Sequence, residues 1–394
     1  MRVQEAKLPG RKLFNFILIF YALAVDAPGN FLIFEQSGSA LLTIFVTVIF
    51  SLLTINLLLF NRERKIYTLI GGKILIQFMP LIALSALSLL TESFDKNRIQ
   101  FFLCLLLLPL TIYLAFAYQS FEGNRTGLLF RRALTFSSII YIFTVMLHGL
   151  GNSYLYGPRS ISMIACIGLL SISKTSIQGG IFLRVIFTVC VILSLSRTAF
   201  LVASILNAYH FMRNRSGTSK NFLSRIPIAL GILSFLGYLM ISISSLRDRF
   251  FAVGDRGDIF GISLNTNGRA QVWDFLVAGI QNHLVLGQGI GQAQISISSR
   301  FVSIVEPHND YLRLTYDLGL VGLMLWLFAI ARMVVIIKNE KFLSRSVLSM
   351  SFFLPLSFAF SDNPFIYPFF LVCFGQVIAM GENVPAMTKS KLLS

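Results

Sequence analysis

Charge is what this sequence has least of. Only 13% of its 394 residues are Asp, Glu, Lys or Arg, against 55% hydrophobic. A water-soluble chain cannot hide that much apolar surface, so a soluble globular fold is excluded and a multi-span membrane protein is expected. Acidic residues are the scarcer sign: 17 Asp and Glu face 33 Lys and Arg, a net charge of +16. In a soluble protein that excess would point to nucleic acid. Here basic cytoplasmic loops account for it, and no nucleic-acid partner is expected. Cysteine is scarce too. Cys104, Cys166, Cys190 and Cys373 lie singly in apolar runs, with no CxxC and no metal-ligand spacing. They read as small buried hydrophobes. The chain also lacks a closely spaced DxD, an HExxH, a GxSxG and a Walker loop. Metal-dependent and nucleotide-driven chemistry lose their usual machinery, so neither a metal nor a cofactor is expected.

What the chain has instead is long apolar runs. Those near the roughly 20 residues that cross a bilayer lie at 13–33, 40–60, 66–90, 99–118, 132–150, 160–176, 179–195, 197–212, 226–245, 310–337, 346–361 and 364–381. The basic "MRVQEAKLPGRK" before "LFNFILIFYALA" resembles a signal peptide, with Ala22-x-Ala24 as a cleavage site. Because many spans follow, an uncleaved first helix is the simpler account. Asp26, Pro28 and Asn30 interrupt the outer half of that helix. With the N-terminus inside, the inner segments contain "RERK", "NRTGLLFRR", "RNRSGTSKNFLSR" and "KNEKFLSR", while the short outer ones hold only Lys96, Arg98 and Arg159. This asymmetry predicts both termini in the cytoplasm.

The expected fold is therefore an all-α polytopic membrane protein with about 12 transmembrane helices and a long, partly helical external loop before the tenth. Residues 1–245 hold spans one to nine, 246–309 the external (periplasmic) loop, and 310–394 the last three spans and a cytoplasmic tail. Trp273, Phe250, Phe251 and Phe275 within the loop favour a folded cap over a linker.

Three polar clusters converge on the outer face in this topology. Arg197 opens the eighth span in "LSLSRTAFLVA"; a charge at a span boundary marks a site unless it snorkels to the interface. In "NTNGRAQVWDFLVAGIQNHLVLGQGIGQ", Asn267 or Gly268 caps a helix that puts Arg269 and Trp273 at i, i+4. Arg269 can stack on that indole and still offer its fork to an anion, although the pair taken alone favours a surface Arg beside a packing Trp. The "GQGIG" at 287–291 follows no expected strand and reads as a turn. In "VEPHNDYLRLTYDLGLVGLMLWL", Asn309 or Asp310 can cap the tenth span, which is reason enough for both. Capping leaves His308 unexplained, one of only 4 His. An imidazole there can serve as a general base, oriented by Glu306 or Asp310. Arg313 and Asp317 have the spacing of an i, i+4 pair, and Gly319 and Gly322 let helices approach closely. Two Arg and a His facing outward, with no metal ligands, point to the holding of a pyrophosphate leaving group and the activation of a hydroxyl.

The motifs "SLSRTA", "GRAQVWDFLVAGIQNHLVLGQGIG" and "PHNDYLRLTYDLGLVGL", in that order, resemble the O-antigen ligase and O-antigen polymerase superfamily. The likeness covers most of the chain. It implies metal-free inverting glycosyl transfer from a glycan on polyprenyl (undecaprenyl) diphosphate, in the bacterial cytoplasmic membrane. Arg197 and Arg269 match the arginines that engage the diphosphate, and His308 the histidine that activates the acceptor hydroxyl. Asn309, Asp310, Tyr311, Trp273 and Arg313 are expected to contact substrate. The acceptor is another lipid-linked repeat unit in a polymerase and lipid A–core in a ligase. The "PHNDYLR" form leans towards polymerases of O-antigen, exopolysaccharide or capsule. Other expected partners are membrane lipid and polysaccharide-assembly proteins. A twelve-helix transporter or flippase is the competing class, but many such carriers have a basic central cytoplasmic loop, and here that connection is only a few residues.

Overall fold

The computed structural model describes residues 10–25, 37–60, 66–91, 95–122, 124–149, 156–173, 180–213, 256–259, 262–265, 269–301, 306–340 and 345–380, with single positions 231, 238, 242 and 343. In chain order the helices are α1 (Arg11–Ala24), α2 (Ser37–Phe60), α3 (Ile66–Thr91), α4 (Lys96–Glu122), α5 (Asn124–His148), α6 (Pro158–Ser173), α7 (Gly180–Leu193) and α8 (Arg197–Arg213). A hairpin of β1 (Arg256–Ile259) and β2 (Ile262–Asn265) follows, then α9 (Arg269–Asn282), α10 (Gln292–Arg300), α11 (Asp310–Asn339), α12 (Arg345–Ser361), a 3-10 turn (Pro364–Ile366) and α13 (Pro368–Ala379).

Five stretches are long and apolar enough to cross a membrane: Leu42–Leu59, Thr68–Thr91, Lys96–Tyr118, Thr126–His148 and Asp310–Asn339. Shorter apolar helices cover Pro158–Ile172, Gly180–Leu193, Val347–Ser361 and Pro368–Ala379. All but one of the expected spans thus overlap a helix among the described residues. The expected span at 226–245 lies outside the described residues except at 231, 238 and 242, and Asp26, Pro28, Asn30, Asn267 and Gly268 lie outside them too. The hairpin departs from the all-α expectation. Its strands pair antiparallel from Arg256↔Asn265 to Ile259↔Ile262. Four-residue strands such as "RGDI" carry too few alternations to show in sequence.

The apolar faces turn two ways. α4 is the inner helix, packed between α2, α3 and α13, and Leu107, Ile112, Leu114, Phe116 and Ala117 on it are buried. On α2, α3 and α5, Phe45, Leu59, Ile76, Leu90, Phe143 and Met146 are exposed. Water would not tolerate so much outward aliphatic and aromatic surface, whereas lipid chains cover it. The chain is that of a multi-pass membrane protein.

The tenth expected span is broken. Gly319 inside α11 has φ 68° and ψ −172°, a conformation essentially confined to glycine. The 284–289 segment fills the break. Gln288 and Gly289 donate backbone N–H groups to the carbonyls of Tyr316 and Asp317 (both 2.9 Å), while Leu320 and Val321 donate to Leu284 and Val285 (2.9 and 3.2 Å). Four backbone groups of α11 at the kink find partners in this way, as a non-helical turn in an apolar helix requires. Gly319 therefore serves a kink and the close approach of a loop, not of a helix. A Cβ on Gly322 would meet Leu318 of the same helix. The "GQGIG" run is a turn, with Gly287, Gly289 and Gly291 all at positive φ.

Candidate active site

One end of the bundle collects the polar termini. α6, α8, α9, α11 and α13 begin there, and α7 and α12 end there. A cavity of about 290 Å³ opens among these ends, lined by Arg159, Ser194, Ser196, Arg197, Arg269, Asp362 and Tyr367 among others. Each guanidinium comes from a different helix start, so no single stretch of sequence displays the cluster.

Asp362 is the anion at its centre. Arg159 Nε and Arg269 Nη2 each lie 4.0 Å from Asp362 Oδ1. Arg269 Nη1 donates to the carbonyl of Ser361 at 2.6 Å, and the hydroxyls of Thr198 and Ser361 are hydrogen-bonded to each other. Burial pushes the Asp362 carboxyl up to about 6 despite the pull of Arg269, Arg159 and Arg197. Burial lowers the Arg269 guanidinium to about 10; Asp362 opposes that shift, while Arg159 and Arg197 add to it. Arg269 stays cationic at neutral pH, with Arg159 and Arg197 nearby.

His308 joins through Arg159, whose Nη1 lies 3.3 Å from Nε2 and 3.4 Å from Nδ1. An atom so nearly equidistant from both ring nitrogens would collide with Cε1 in the ring plane, so the guanidinium lies over the ring face. Burial, then Arg269, Arg159 and Arg313, hold the imidazole far below its ordinary value of 6.5. The ring is neutral across physiological pH. Its backbone sits at φ 50°, unusual for a residue other than glycine and a form of strain found at functional sites.

The surrounding residues over-determine that conformation. Asn309 is the N-cap of α11, its Oδ1 accepting Leu312 N–H at 3.0 Å. Asp310, the other candidate cap, instead accepts Phe365 N–H at 3.0 Å and so ties α11 to the 3-10 turn. Glu306 accepts from Asn363 Nδ2 at 2.8 Å and from the Tyr367 hydroxyl at 3.2 Å. The indole of Trp273 donates to the Pro307 carbonyl at 2.8 Å and edges against Phe360, the packing role that the sequence also offered. Tyr311 donates to Leu356 O at 3.0 Å. Arg313 is buried with its guanidinium carbon 5.4 Å from the Phe101 ring centre. Asp317, its expected partner, accepts from Gly291 and Ala293 N–H at 2.8 and 2.7 Å. A carboxylate at the start of α10 satisfies two N–H groups that no side chain was otherwise expected to cap.

The structure thus brings Arg197 and Arg269 to one cavity and His308 beside it. Asn309, Asp310, Tyr311, Trp273 and Arg313 engage the protein around His308. Sequence reasoning missed Arg159, Asp362 and Tyr367. Faint signals existed: Arg159 in "YGPRS" is one of three basic residues in the short outer segments, and "SDNPFIYP" is a polar break between the last two apolar runs.

No curated protein matches the chain. Residues 182–327, a stretch that holds Arg197, Arg269 and His308, match the family model described as O-antigen ligase, and this match supports the superfamily resemblance of the motifs.

Proposed function

We propose that the protein is a metal-independent, inverting glycosyltransferase of the bacterial cytoplasmic membrane. It moves a glycan from polyprenyl (undecaprenyl) diphosphate to an acceptor sugar hydroxyl and polymerises lipid-linked repeat units. The observation that carries this is the convergence of Arg197 and Arg269 on one cavity beside a neutral His308. The acceptor oxygen attacks the anomeric carbon from the face opposite the diphosphate, and the new C–O bond forms as the bond to the diphosphate oxygen breaks. The electron pair leaves with the diphosphate, and the guanidinium forks stabilise its growing charge. The acceptor proton passes to a ring nitrogen of His308. Guanidiniums neutralise charge that a divalent ion would otherwise hold, so no metal is required. We assign Asn309, Asp310, Tyr311, Trp273 and Arg313 to the support of His308, within reach of the acceptor sugar's side of the site.

The reaction lies at the outer face. Lys/Arg bias puts the ends of α6, α8 and α11 there. Ligation to lipid A–core is the second reading, favoured by the description of the matching family. The test uses purified protein, excess chelator, a polyprenyl-diphosphate oligosaccharide, and either a second lipid-linked unit or lipid A–core as acceptor. Wild type is expected to extend the lipid-linked unit, and His308→Ala to turn over about 10²–10⁴ times more slowly while still binding donor. Transfer to lipid A–core alone makes the protein a ligase. Normal turnover of His308→Ala, or loss of wild-type activity in chelator, refutes the mechanism.

A further inference from the structure

Arg159 is the cavity cation among the residues that no motif accounts for. It starts from the second position of α6 and reaches two partners at once: the face of His308 at 3.3–3.4 Å and the carboxylate of Asp362 at 4.0 Å. Both contacts are loose. Charge-assisted N–H···O bonds run about 2.7–2.9 Å, so neither partner holds the fork well. The side chain is also 45% exposed, against 12% for Arg269 and 5% for Asp362. It is the least anchored cation of the pair that meets Asp362, and it lines the same cavity as Arg197. A diphosphate offers several anionic oxygens where Asp362 offers one buried carboxylate, and the bidentate geometry suits a guanidinium.

We propose that Arg159 couples the two substrates: in the empty site its guanidinium lies over the face of His308, and the diphosphate of a lipid-linked donor draws it into the cavity beside Arg197 and Arg269, leaving the imidazole able to take the acceptor's proton. This rests on the donor reading given above. The imidazole faces Arg159 from α6, Arg269 from α9 and Arg313 from α11, with Glu306 on its own segment and Asp362 beyond Arg159. Burial, and then these three cations, make the imidazole a poor base. A bound diphosphate compensates Arg159 and Arg269 together and offsets their share of that bias. The base is then strong only when there is a leaving group to expel, and acceptor activation follows donor binding.

The experiment uses full-length protein in detergent with ring-¹³C histidine, the His308 signal being assigned by its loss in His308→Gln. The probe is farnesyl diphosphate in excess chelator, with binding followed by calorimetry. In wild type without probe, His308 is expected to remain neutral down to the lowest pH the fold survives. Saturating probe is expected to bring its protonation midpoint into the pH range in which the fold survives. Arg159→Ala is expected to bind the probe at least tenfold more weakly and to show a raised midpoint without it. Arg159→Lys keeps the charge but not the fork and is expected to fall between the two. Unchanged melting of Arg159→Ala confirms that the fold is intact, as the exposure of the residue predicts. Probe binding with an unmoved His308 midpoint, or full affinity in Arg159→Ala, overturns the coupling alone. Failure of wild type to bind the probe overturns the donor reading and the coupling with it.

Discussion

The kink at Gly319 sets where the first turns of α11, and therefore His308, point, and Gly319→Ala tests that dependence. Its φ of 68° and ψ of −172° lie where a Cβ is not accommodated, and such strain amounts to about 1–3 kcal/mol. The added methyl would also run into the carbonyl of Val285, a backbone group that cannot rotate away. Moving that segment breaks the N–H bonds of Leu320 and Val321 to Leu284 and Val285, each about 0.5–1.5 kcal/mol. The combined loss is roughly 2–6 kcal/mol, near the upper end for a point mutation. Gly72→Ala is the control. Its methyl would meet only a ring carbon of Tyr113 at 4.0 Å, an ordinary contact inside α3, where alanine is also the better helix former. The assay is thermal unfolding of detergent-purified protein by intrinsic fluorescence, with glycan transfer measured on what remains folded. Gly319→Ala is expected to melt well below wild type and to lose turnover at temperatures where it is still folded, while Gly72→Ala matches wild type in both. If Gly319→Ala melts with Gly72→Ala, the kink is not a structural requirement. If it melts low but turns over normally while folded, the kink does not aim His308.

Three further outcomes are expected. Trp273→Phe keeps the aromatic contact with Phe360 but loses the 2.8 Å bond to Pro307; a loss near 1 kcal/mol in positioning His308 lowers turnover by about fivefold to tenfold, and turnover equal to wild type would detach the indole from the site. Asp362 titrates near 6 when folded against 3.8 ordinarily, so the folded state holds the extra proton between those values. Its contribution therefore makes stability fall as pH rises from about 4 to 6, by up to about 3 kcal/mol. Asp362→Asn is expected to flatten that part of the stability–pH curve, and an unchanged curve refutes the shift. A cysteine at the exposed Ser298 is expected to react with an impermeant thiol reagent in intact cells while one at position 216 does not; labelling at 216 alone would invert the topology.

Sequence by itself determined the membrane class and most helix positions, because burial in lipid demands long apolar runs and composition cannot disguise them. It also narrowed the cap of α11 to Asn309 or Asp310 and gave the turn at 287–291, since both follow from local backbone chemistry. Arg197, Arg269 and His308 stood out because charge is rare at the ends of apolar spans. Only tertiary structure decided the rest. Arg159, Asp362 and Tyr367 sit on separate helix ends up to about two hundred residues apart, and nothing local distinguishes them from interfacial polar residues. Arg313 and Asp317 have the spacing of a pair, yet a loop's N–H groups claim the carboxylate. Gly319 and Gly322 have the spacing of a helix contact, yet one is a kink. In each case the partner that decides the role comes from a distant segment, and helix packing, not sequence spacing, brings it there.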